Sequence, residues 1–218
     1  RTGHYASFLR HSCIVAETEM ELVSTIESIN KQTKQAIENA QVLILTFGTA
    51  QVFEVDGRVV ASCHKENQGL FSKRLLEPEE IVEAGRMIFE KIVNINPKIS
   101  VILSVSPIRH TKMGLVDNNV SKAVLLLSAK KLAELHANTY YFPAFEIMLD
   151  VLRDYRFYKS DLIHPNEMAE NIVWNYFQGW YCPQSLQTIY RLKTQLLTMK
   201  NHNMRQKNAL EHHKMKHV

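Results

Sequence analysis

The sequence predicts an α/β fold built on a parallel sheet with helices on its faces. Two observations carry that prediction. Short, almost wholly apolar runs at residues 41–47 and 99–105 read as strands covered on both faces. Between and after them lie longer stretches of helical period. Strands alternating with helices build parallel sheets through right-handed crossovers.

Each element has its own signal. Residues 1–17 lack clear periodicity and contain His11-Ser12-Cys13. Residues 19–40 read as a helix, with Leu22, Ile26, Ile29 and Ile37 on one side. The run 41–47 (Gln-Val-Leu-Ile-Leu-Thr-Phe) is a strand ended by Gly48. Residues 52–55 and 58–60 flank Asp56-Gly57, the signature of a hairpin with a tight primed turn. Residues 62–72 are polar and irregular. A second helix spans 77–94, opened by Pro78 and closed before Pro97. The strand 99–105 stops before Pro107, and a helix follows over 117–137 with Asp117 as N-cap. Residues 139–142 form a third strand and 143–152 a short helix. Pro165 then marks the first turn of a helix carrying Met168, Ile172, Val173, Tyr176 and Phe177. Pro183 opens another helix, with Leu186, Ile189, Leu192, Leu196 and Met199 at three- and four-residue steps. Residues 201–218 are expected to fray. The predicted organisation is a domain over 1–182 with a C-terminal helix and basic tail over 183–218.

Composition narrows the function classes. The 218 residues are 45% hydrophobic and 22% charged, ordinary for a globular protein. No apolar run approaches the roughly 20 residues that span a bilayer, so no membrane span is expected. The net charge of +4 is uneven. From Pro183 onward seven lysines and arginines stand against Glu211 alone, a local charge of +6 that leaves −2 for the rest. A basic tail, and not a basic face on the main domain, therefore accounts for the excess, and no nucleic-acid partner is expected. Cys13, Cys63 and Cys182 show neither metal-ligand spacing nor a disulfide framework, so no metal or other cofactor is expected. Reduced thiols favour a cytoplasmic setting. Oligomeric state and compartment cannot be read from the chain. The histidines of the tail include adjacent His212 and His213, which cannot share a helix face.

In parallel sheets, sites form at the carboxyl ends of the strands. The polar candidates fall there: Gly48 and Thr49 after the first strand, then Ser106, Arg109 and His110 after the second. Asp161 and His164 follow the third, in the segment Tyr155-Arg156-Phe157-Tyr158-Lys159-Ser160-Asp161-Leu162-Ile163-His164-Pro165. A histidine base oriented by an aspartate is two-thirds of a nucleophile–base–orienter unit. Either residue could instead simply cap the following helix. Gly48 would let the backbone approach a ligand, and a backbone N–H or the Thr49 hydroxyl could serve an oxyanion. Arg109, His110 and Ser106 would bind an anionic or hydroxylated substrate. A surface loop is the alternative for Arg109 and His110.

Several motifs in order extend this reading: Thr46-Phe47-Gly48-Thr49-Ala50, Cys63-His64-Lys65, Phe71-Ser72-Lys73-Arg74-Leu75-Leu76, Ser104-Val105-Ser106-Pro107-Ile108-Arg109-His110, Tyr140-Tyr141-Phe142-Pro143-Ala144-Phe145-Glu146-Ile147-Met148, and Asp154-Tyr155 through His164-Pro165. Together they resemble the GSCFA-domain family, which is related to the SGNH/GDSL hydrolases. The resemblance implies an SGNH-like (flavodoxin-like) three-layer sandwich and hydrolysis of esters, including those of acylated carbohydrates. It places Asp161 and His164 on the superfamily's final Asp-x-x-His block and Gly48-Thr49 on its glycine block, where no asparagine is visible. The family's Gly-Ser-Cys-Phe-Ala nucleophile motif has no match here. Residues 11–13 are the nearest stretch, but 1–10 is not an apolar strand that could present Ser12. The expectation is that the nucleophile segment lies upstream of Arg1. Two other readings stay open: an inactive binding module of the same fold, and an interaction protein using the C-terminal helix.

Overall fold

The computed structural model describes residues 4–215, with side chains for 4–200. It divides into two compact units, Arg1–Pro165 and Asn166–Val218. In the first, short strands β1 (Tyr5–Ala6) and β2 (Val15–Ala16) pair antiparallel. Helix α1 (Glu19–Asn39) follows, held at its start by a reciprocal capping box. The Thr18 Oγ1 accepts the Glu21 N–H at 3.2 Å, and Glu21 accepts the Thr18 N–H at 3.2 Å.

Strand β3 (Val42–Phe47) enters the sheet next. Then β4 (Gln51–Val55) and β5 (Arg58–Val60) form the expected hairpin, with Asp56 and Gly57 at φ of 49° and 73° as a primed turn requires. The sequence reading missed β6 (Ser72–Leu75), which pairs with the other edge of β4. Its alternating Ser-Lys-Arg-Leu lacks an apolar face to signal it. Arg74 holds it in place, donating to Glu54 at 2.7 Å and to both oxygens of Glu80 at 2.8 Å. Glu80 lies at the start of α2 (Pro78–Ile95).

Strand β7 (Ser100–Val105), helix α3 (Leu115–Leu135) and strand β8 (Thr139–Phe142) complete the sheet, which is parallel with order β3-β7-β8. Its register sets Phe47 beside Val105 and Ser104 beside Phe142, so the three carboxyl ends lie side by side. The chain is α/β, with helices flanking this sheet, consistent with a three-layer sandwich. Central β7 is buried on both faces, as expected: Val101, Ile102, Leu103, Ser104 and Val105 are all at most 4% exposed. Strand β3 is not. Leu43, Leu45 and Phe47 pack on the core, whereas Val42 and Ile44 are half exposed. At the end of the strand order, β3 has one ladder neighbour among the described residues, and its apolar run covers one face only.

One cluster of the core joins Phe89 and Ile92 of α2, Val101 and Leu103 of β7, and Leu132 of α3. A second joins Ala50, Val105, Val124, Leu125 and Ala129 beneath the strand ends. Each such large side chain stabilises the fold by roughly 1.5–3 kcal/mol relative to exposure. Asp117 does not cap α3. The helix starts two residues earlier, after Gly114 at φ 92°. After β8, the single turn α4 (Ala144–Glu146) widens into a π-helical turn, Ile147–Leu152, that buries Ile147, Met148 and Leu152.

The second unit holds α5 (Glu167–Tyr181) and α6 (Gln184–Met215). Asn166 caps α5 by accepting the Ala169 N–H at 3.1 Å. Pro165 therefore lies two residues before the helix and not at its first position. It stays extended and bridges to Tyr158. Gln187 ties the two helices by donating to the carbonyls of Gln178 and Cys182 at 3.1 and 2.8 Å. Trp174 stacks on Phe177 and meets Tyr190 edge-on. Helix α6 continues past residue 201, where the sequence leads one to expect fraying. Residues 216–218 and the side chains of His202, His212, His213 and His217 lie outside the described residues. No helix among the described residues is long and apolar enough to cross a membrane.

Candidate functional site

The loop from Tyr158 to Pro165 is closed by its own backbone. The Lys159 N–H donates to the His164 carbonyl at 2.8 Å, and the Leu162 N–H donates to the Lys159 carbonyl at 2.9 Å. Leu162 sits at φ 58° to let the chain reverse. Asp161 fills the centre of this turn. Its Oδ1 accepts the N–H groups of Ile163 and His164 at 2.9 and 3.0 Å, and its Oδ2 meets the His164 Nδ1 at 2.7 Å. The two backbone donors, then the imidazole, hold the carboxyl down at about 2. Asp161 is thus both a turn residue and an orienter. With Nδ1 engaged by a carboxylate, the His164 tautomer presents a lone pair at Nε2, which has no partner among the described residues.

The second group of candidates gathers at the ends of β3 and β7. The His110 ring lies against Gly48, where an added β-carbon would sit 3.7 Å from Nε2. The His110 N–H donates to Asn118 Oδ1 at 2.9 Å, which fixes the loop after β7 to α3. Desolvation, and then the charge of Lys122, lowers the His110 pKa, partly offset by a bond to the Gly48 backbone. Ser106 Oγ accepts the Ile108 N–H at 3.2 Å and so shapes this loop. The Arg109 guanidinium lies 5.8 Å from the centre of the Tyr158 ring, joining this group to the His164 loop. Beside that contact is a cavity of about 140 Å³ lined by Arg109, Met148, Arg153, Asp154, Tyr155 and Tyr158.

Three residues of α3 complete the arrangement and were not singled out in the sequence. Ser121 Oγ accepts the Ala50 N–H at 2.8 Å and pairs with the Thr49 hydroxyl at 3.1 Å. Lys122, 2% exposed, donates to the carbonyls of Gly48 and Ser106 at 2.6 and 2.7 Å. Asn118 is 3% exposed. Burial lowers the Lys122 ammonium to about 8, with no carboxylate beside it among the described residues. The available signal was positional. Asn118, Ser121, Lys122, Leu125, Ser128, Ala129 and Leu132 fall on one helical stripe, and polar residues on a buried stripe need partners.

The remaining motif residues are structural. His64 and Lys65 take left-handed backbone conformations, φ 45° and 60°. The His64 Nε2 bonds the carbonyls of Ser7 and Arg10 at 2.9 and 3.1 Å, and Phe8 packs on Phe71. This pins the N-terminal segment that carries Ser12. His11 Nδ1 engages Cys13 Sγ at 3.0 Å, and Ser12 makes no hydrogen bond to His164. The Tyr141 hydroxyl donates to Glu146 at 2.9 Å, and burial followed by that carboxylate raises its pKa. Among the described residues, no group of three or more His, Cys, Asp or Glu side chains could hold a metal ion.

The model of the GSCFA family matches residues 1–177. No curated protein matches the chain.

Proposed function

Because this chain belongs to the GSCFA family, and because an ordered Asp161–His164 pair lies in the segment whose Tyr158 meets Arg109, we propose that it is an ester hydrolase of the SGNH/GDSL type. The observation that carries this reading is the His164 imidazole, held at Nδ1 by Asp161 at 2.7 Å with Nε2 left open. A hydroxyl nucleophile would pass its proton to Nε2 as its oxygen bonds the ester carbonyl carbon. The tetrahedral oxyanion would be met by the outward N–H of Thr49. The alcohol would leave with the proton from His164, and water would release the acid by the same route. Arg109, His110 and Ser106 would line the substrate, a small ester or an acylated carbohydrate.

The nucleophile in this proposal is a serine other than Ser12. Two features support that. The segment that carries Ser12 is tied to His64 through the Ser7 and Arg10 carbonyls, and among the described residues β3 has an unpaired edge with half-exposed Val42 and Ile44. A His164 whose Nε2 has no partner among the described residues also suits a binding module of the same fold that has lost its chemistry.

Labelling the longest natural form of the protein with a fluorophosphonate separates the cases. We expect one labelled serine, other than Ser12, and loss of label in His164→Ala. Label on Ser12 would refute the placement of the nucleophile. No label on any serine would favour the binding module.

A further inference from the structure

A buried lysine needs a reason. Lys122 is 2% exposed, reaches no carboxylate among the described residues, and spends its ammonium on the carbonyls of Gly48 and Ser106. Those carbonyls end neighbouring strands, β3 and β7. A charged group on neutral acceptors beneath a sheet is a poor source of stability, since desolvation opposes it. Its geometry has a more specific consequence.

The peptide joining Gly48 to Thr49 is trans, as are all peptide bonds among the described residues. In a trans peptide the carbonyl and the N–H point in opposite directions. Lys122 draws the Gly48 carbonyl inward at 2.6 Å. The Thr49 N–H must then point away from the interior, and Thr49 is exposed. That N–H donates to no protein group among the described residues, whereas its neighbours are both occupied. The Ala50 N–H goes to Ser121 Oγ, and the Gln51 N–H goes to Thr49 Oγ1 at 3.1 Å. On the other arm of the lysine, the Ser106 carbonyl belongs to a peptide whose nitrogen is that of Pro107 and has no hydrogen. The clamp therefore exposes a single donor.

We propose that Lys122 is a positioning residue that orients the Gly48–Thr49 peptide and so presents the Thr49 N–H as an oxyanion donor. The clamp itself is independent of the hydrolase reading. Only the use of the N–H rests on that reading.

The test uses Lys122→Met in the longest natural form of the protein, with Ser128→Ala as a control for damage to α3 away from the clamp. Amide NMR reads the orientation directly. The Thr49 cross-peak should move strongly in Lys122→Met and stay in place in Ser128→Ala, and the His110 titration midpoint should rise as the neighbouring cation is lost. In p-nitrophenyl acetate hydrolysis, kcat should fall on the order of a hundredfold with KM nearly unchanged, the pattern of a lost transition-state donor. An unmoved Thr49 amide in folded Lys122→Met overturns the clamp. If Lys122→Met does not fold, Lys122→Arg, which keeps the charge on a longer planar fork, must shift the same amide and reduce kcat, and a wild-type Thr49 signal there overturns it equally. A moved amide with unchanged kcat overturns the oxyanion role alone. A wild-type protein that hydrolyses no ester removes the hydrolase reading while leaving the amide result to decide the clamp.

Discussion

Asp161 shows how one side chain can serve a turn and a site together. Its two backbone acceptor bonds would exist in any Asx-type turn, but they also pin the carboxyl so that Oδ2 faces the His164 ring. The folded carboxyl titrates at about 2, below its ordinary value of 3.8. The unfolded state thus takes up its proton first as pH falls. The contribution is whole above pH 3.8 and disappears toward pH 2. Urea unfolding of wild type and Asp161→Ala should therefore show a stability gap at pH 5 that closes across that window. A gap that persists at pH 2 would mean the carboxylate is not what the turn depends on. The pair itself was readable from its spacing and from Pro165. The buried polar groups of α3 were not, because a lysine in a helix is ordinarily a solvent-facing residue and its burial depends on where strand carbonyls end.

At the scale of elements, the apolar runs and the Asp-Gly turn were readable because local pattern and tertiary environment agree there. The exceptions share a cause. Strand β6 has no apolar alternation and is held by the Arg74 ion pairs. The start of α3 is decided by Gly114, and that of α5 by the Asn166 side chain, not by the more conspicuous Asp117 and Pro165. The half-exposed face of β3 depends on its place in the strand order, which no local window contains. Helices α2 and α3 meet through Gly85, where an added β-carbon would lie 2.5 Å from Leu132 Cδ2. Leu132 is 1% exposed and has no room to yield. Gly85→Ala should destabilise the fold by roughly 1–3 kcal/mol through overpacking, against the gain of up to about 1 kcal/mol that alanine brings to a helix. Chemical denaturation decides it, and a stabilised variant would show that the helices separate freely.

For the whole molecule, the parallel order β3-β7-β8 collects Gly48, Thr49, Ser106, Arg109 and His110 at one sheet edge, and the Arg109–Tyr158 contact connects them to the His164 loop. Fold class followed from the alternation of strands and helices. The substrate did not, because one fold hosts many functions and selectivity resides in loop shape, not in residue pattern. The Asp161–His164 pair is the proposed base of ester hydrolysis. The direct measurement is p-nitrophenyl acetate hydrolysis by the longest natural form of the protein beside its His164→Ala and Ser12→Ala variants. Turnover should fall by at least roughly a hundredfold in His164→Ala, in keeping with loss of a general base, and stay unchanged in Ser12→Ala. Turnover that survives His164→Ala would contradict that role.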